Sequence, residues 1–102
     1  MEQKRVFKMG VIERNMLLQS MYTIFVNEKK NGGDYTTVGN LILRIGNATN
    51  HKVYLSEDDY KLARTALNIL RDSYLAADRY SDGIDKVLYK LINAKIKLVK
   101  DE

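Results

Sequence analysis

The sequence predicts a mainly α domain of about four helices, with a C-terminal helical hairpin and a short two-stranded sheet. Two observations lead there. Apolar residues recur at helical spacing along most of the chain, and a capping pattern stands at Ser56–Asp59. A competing reading, α+β with residues 20–46 as strands, differs from the first only in that stretch.

The first element is extended. In Lys4–Met9, Phe7 and Met9 fall on one side and Lys8 on the other, and Gly10 ends the run. Val11–Lys30 then reads as a helix through Val11, Leu18, Met21 and Phe25, widened by Leu17, Tyr22 and Ile24. Glu13 suits its N-terminal dipole, Lys29 and Lys30 its C-terminal one, and Gly32-Gly33 follow as a stop. Asp34 is placed to cap a second helix, Tyr35–Ile45, whose stripe is Tyr35, Val38, Leu41, Ile42 and Ile45, with Gly46 after it. The strand alternative rests on the alternation of Tyr22, Ile24 and Val26 and of Leu41, Leu43 and Ile45, and on Gly39. Lys52–Leu55 is a short extended piece, a partner for Arg5–Met9.

Ser56 with Asp59 forms a capping box, with Glu57 and Asp58 adding negative charge at the helix start. Leu62, Ala66, Ile69, Ser73, Ala77 and Tyr80 give the stripe of a long third helix, flanked by Leu67, Leu70 and Tyr74. A turn is expected at Ser81-Asp82-Gly83. The last helix is expected from about Asp85 to Val99, with Ile84, Leu88, Leu91, Ile92, Ile96 and Val99 facing one way. Its apolar arc spans roughly 220°, more than one neighbouring helix covers, and this is the reason to expect a homo-oligomer.

The 102 residues suit one domain. Cysteine is absent, so neither a disulfide nor a thiolate site is available. No apolar run reaches the roughly 20 residues of a membrane span, and no signal-type segment is read at the N-terminus, so a cytoplasmic location is expected. Frequent Lys, Asn, Ile and Tyr reflect AT-rich codons, as in a low-GC bacterium or its phages. The formal charge is +4, a modest bias toward anionic partners.

Catalytic groups are few. The single histidine, His51, lies in a turn. The Glu57-Asp58-Asp59 cluster is accounted for by the helix start, and Asn31-Gly32-Gly33-Asp34 lacks the Lys-Ser/Thr of a phosphate loop. The expectation is a non-catalytic chain without cofactor or metal. Binding is the better class. Lys61, Arg64, Asn68, Arg71 and Arg79, with Tyr74 beside them, form a candidate face for a small anionic, nucleotide-like ligand. Lys86, Lys90, Lys97 and Lys100 form a candidate polyanion stripe. The resulting expectation is a small interaction protein of phage or mobile-element type that binds or sequesters a host protein or a small anionic ligand. The alternative is a DNA-binding regulator with Val11–Lys30 and Tyr35–Ile45 as a helix-turn-helix, although the second helix has only Arg44 as a basic residue.

Overall fold

A computed structural model describes residues 2–99. Its order is β1 (Glu2–Lys8), α1 (Val11–Lys30), α2 (Tyr35–Gly46), β2 (Lys52–Leu55), α3 (Glu57–Ala76), α4 (Asp82–Ile92) and β3 (Lys95–Val99). The fold is mainly α with a small antiparallel sheet in the order β2-β1-β3. Its Cα envelope is 43 × 32 × 19 Å. The thin dimension has room for two layers at the ~10 Å spacing of packed elements. Residues 20–46 are helical, which removes the strand alternative.

The predicted pairing of the first extended segment with Lys52–Leu55 is present, with Arg5 opposite Leu55 and Phe7 opposite Val53. Paired residues share a face, so Phe7, Val53 and Leu55 point together into the core. Met9 lies just past the strand, buried, and its N–H donates to the His51 carbonyl at 2.9 Å. The chain turns into β2 through Asn50 and His51, both at positive φ.

α1 keeps its predicted bounds and buries Leu17, Ser20 and Met21. Ser20 is tolerated inside because its hydroxyl donates to the Leu17 carbonyl at 2.7 Å. The helix stops because Gly32 adopts φ 74°, which lets the Gly33 N–H reach the Glu28 carbonyl at 2.8 Å. α2 is capped by Asp34, which accepts from the Thr37 N–H and hydroxyl. It turns Val38, Leu41 and Ile45 inward. Gly46 is its last helical residue, and Asn47 follows as the cap.

α3 starts on the predicted capping box. The Asp59 N–H donates to Ser56 Oγ at 3.1 Å and the Ser56 N–H to Asp59 Oδ2 at 3.0 Å. Its buried side is Tyr60, Ala63, Ala66 and Leu67, which shares Ala66 with the predicted stripe and Leu67 with its flank, but leaves out Ile69, Ala77 and Tyr80 and adds Tyr60 and Ala63. Ile69 is exposed, and Tyr80 lies beyond the helix, 93% exposed. The turn comes earlier than expected, over residues 77–81, with Asp82 and Gly83 already in α4.

The largest correction is at the C-terminus. The expected helix over Asp85–Val99 stops at Ile92, and Lys95–Val99 is a third strand paired with β1. Asn93 ends the helix by donating from its backbone and its side chain to the Tyr89 carbonyl. Lys-Ile-Lys-Leu-Val then alternates with period two. Ile92, Ile96 and Val99 also stand at i, i+4 and i+7, so the same residues satisfy a helical pattern. α4 itself buries Ile84, Val87 and Leu91. The wide apolar arc does not exist on one helix, so self-association loses that support.

Candidate functional site

The predicted ligand face on α3 lies at the surface, but three of its side chains have internal tasks. Arg71 Nε meets Asp85 Oδ1 at 2.6 Å and ties α3 to α4. Asp85 also accepts from the Ser81 hydroxyl at 2.9 Å. The Arg71 and Ser81 donors hold its carboxyl below the usual range.

Tyr74 and Arg79 belong to the end of α3. Asp78 takes φ 60°, the Asp78 N–H bonds the Leu75 carbonyl, and the Arg79 N–H bonds the Tyr74 carbonyl at 2.8 Å. This is the Schellman pattern, with Asp in the position glycine usually holds. The apolar contact that accompanies the motif is replaced by the Arg79 guanidinium, 4.0 Å from the Tyr74 ring centroid. Lys61, Arg64 and Asn68 remain exposed on one side of α3, and Arg64 lies 5.4 Å from the Tyr60 ring centroid. None of the six residues lines any of the four cavities described for the molecule.

The predicted lysine stripe is divided between elements. Lys86 and Lys90 are on α4, Lys97 is on β3, and Lys100 lies outside the described residues. Lys90 is engaged, with Nζ at 2.9 and 3.0 Å from the Glu13 carboxylate oxygens. Glu13 also accepts the Gly10 N–H at 2.7 Å. That N–H and, against the effect of burial, the Lys90 ammonium hold the Glu13 carboxyl below its usual value.

Lys97 belongs instead to a surface that sequence reasoning did not assemble. β1 pairs Lys4 with Lys97, Val6 with Lys95 and Tyr54, and Lys8 with Lys52. These residues therefore share the outer face of the sheet, away from the helices. Five lysines stand there: Lys4 and Lys97, like Lys8 and Lys52, are cross-strand partners about 5 Å apart, Lys95 and Lys97 are about 7 Å apart along β3, and Lys4 and Lys8 about 13 Å apart along β1. They surround Val6, which is buried on that face, and the half-exposed Tyr54. Among the described residues, none of the five has a carboxylate within salt-bridge distance, although Glu2 occupies one end of the same face.

Two depressions flank this surface. One, of about 260 Å³, is lined by Val6, Lys8, Lys95 and Lys97 with Lys90 and Asn93 of α4. The other, of about 360 Å³, is lined by Lys4, Lys52, Tyr54 and Arg44 with the 47–50 loop. Arg44 is held by Asp59 Oδ2 at 2.7 Å. Among the described residues this face carries five lysines against Glu2, and the rest of the molecule carries 11 basic residues against 10 acidic ones. Most of the excess positive charge is therefore on the outer face of the sheet. The alternation of Lys4, Lys8, Lys95 and Lys97 along their segments was the signal available in the sequence. Their convergence needed the strand order.

An apolar hollow of about 410 Å³ lies between α1 and α2, lined by Tyr22, Phe25, Tyr35, Gly39, Ile42 and Leu43. Among the described residues, no group of three or more His, Cys, Asp or Glu could hold a metal ion, and no helix is long and apolar enough to cross a membrane. No protein family, curated protein or solved structure matches the chain.

Proposed function

We propose that this chain is a small non-catalytic binding protein that works by occupying an anionic macromolecule with the lysine face of its sheet. The observation that supports this is the charge segregation. Like charges on neighbouring positions of a sheet face repel one another, and among the described residues no carboxylate lies within salt-bridge distance of the five lysines. An anionic partner relieves that repulsion and releases the counterions of both surfaces.

The helix-turn-helix alternative gains nothing from the geometry. Arg44, the one basic residue of α2, is held by Asp59, and α2 presents Leu43 and Tyr35 outward instead of groups that read base edges. The α3 face is a weaker candidate than the sheet, because Arg71 and Arg79 already have partners within the chain.

The test compares two triple variants on a heparin column. Lys4→Gln/Lys95→Gln/Lys97→Gln removes three charges from the sheet, and Lys29→Gln/Lys30→Gln/Lys61→Gln removes three from the helices. The sheet variant is expected to elute at much lower salt than the wild type, with the helix variant close to the wild type. Equal shifts would mean that net charge alone governs binding, and the face would have no special role.

A further inference from the structure

We propose that β3 is a docking edge for an extended segment of a partner protein in which acidic and apolar residues alternate. This rests on the lysine-face reading and names the partner of that surface.

β3 is an outer strand whose one neighbour among the described residues is β1. Such an edge offers a row of main-chain donors and acceptors to whatever lies alongside. Its two rows of side chains differ in chemistry. Lys95 and Lys97 stand on the outer face. Ile96, opposite Arg5, and Leu98, opposite Gln3, stand on the inner face. None of the four helices packs substantially on β3, which leaves Ile96 55% and Leu98 64% exposed. The other edge, β2, has no comparable open row, because its inner residues Val53 and Leu55 are buried in the core.

A strand added beside β3 would meet ammonium groups on one face and aliphatic side chains on the other, because its own side chains alternate with period two. Carboxylates at every second position match the first row, and aliphatic residues between them match the second. Main-chain hydrogen bonds would supply affinity and the two rows specificity. Nucleic acid would use the lysines and leave Ile96 and Leu98 in water. A second copy of the chain would bring edge lysines against their own kind, the arrangement by which edge lysines keep like sheets apart. Charge complementarity selects the acidic strand over both.

The experiment titrates ¹⁵N-labelled protein with a short synthetic peptide of alternating Glu and Val. Two further probes are a peptide of the same composition with its glutamates and valines in separate blocks, and an oligothymidylate. The alternating peptide is expected to shift the Lys95–Val99 amides and slow their hydrogen exchange. Lys97→Gln and Leu98→Ser are each expected to weaken it about tenfold or more. Both positions are exposed, so the variants are expected to stay folded, and the amide spectrum checks this directly. The proposal is overturned if the block peptide binds as well, or if Leu98→Ser leaves affinity unchanged. It also falls if the oligothymidylate binds more tightly than the alternating peptide and responds to Lys97→Gln but not to Leu98→Ser. In that case the lysine-face reading stands with nucleic acid as the partner. If Lys97→Gln alters none of the three, both readings fail.

Discussion

Asp59 shows how one carboxylate can serve two elements. It closes the capping box of α3 and holds Arg44 of α2 at 2.7 Å. Burial pushes its pKa up, but the Arg44 guanidinium and the Ser56 donors together outweigh burial and hold it below the usual value. Glu13 and Asp85 are lowered as well. A carboxylate with a lower pKa folded than unfolded adds stability above its unfolded pKa and loses it as pH falls through its folded one. The urea midpoint is therefore expected to be flat from about pH 7 to 5 and to fall below about pH 4. Asp59→Asn is expected to lower stability at neutral pH by about 1 kcal/mol and to make the acid decline shallower. Urea titrations of both proteins across that range check this. An unchanged acid slope in the variant would show that Asp59 does not contribute to it.

At the scale of elements, the ends of helices separate architecture from function. α1 and α3 end with the same long bond back into the last turn, Gly33 N–H to Glu28 and Arg79 N–H to Tyr74, but α1 has Gly32 in the left-handed position and α3 has Asp78. A non-glycine residue there carries a steric cost of roughly 1 kcal/mol. Asp78→Gly is expected to stabilise the protein by about 0.5–1 kcal/mol, read from the urea midpoint. No gain, or a loss, would mean that the Asp78 side chain contributes to the turn. The stacking of Arg79 on Tyr74 belongs to this helix end, which is why two residues that look like a ligand pair in sequence serve as a stop.

At the scale of the whole molecule, the charge distribution has a consequence for stability. Neighbouring lysines on the sheet face, such as Lys4 and Lys97 or Lys8 and Lys52, repel across distances shorter than the ~10 Å Debye length at 0.1 M salt. Added sodium chloride in the moderate range screens that repulsion. The melting temperature of the wild type is expected to rise with salt, and the rise is expected to be smaller in Lys4→Gln/Lys97→Gln. Calorimetric scans at several ionic strengths check this, and equal salt responses in the two proteins would show that the lysines do not repel appreciably. The same repulsion is what an anionic partner would relieve, so stability and binding report on one surface.

The sequence by itself determined the elements whose signals are local. The bounds of α1, the Asp34 cap of α2, the Ser56–Asp59 box and the extended character of Arg5–Met9 and Lys52–Leu55 depend on side chains a few residues apart and on simple periodicity. The tertiary structure decided what depends on a neighbour. Lys95–Val99 satisfies a helical and an alternating pattern at once, and the open edge of β1 selects the strand. The buried side of α3 is set mainly by α1 and α4, against which it packs, and they turn Tyr60, Ala63 and Leu67 inward and leave Ile69 outside. The candidate site is of this second kind. Lys4, Lys8, Lys52, Lys95 and Lys97 come from three separated segments, and only hydrogen-bonded register places them on one face.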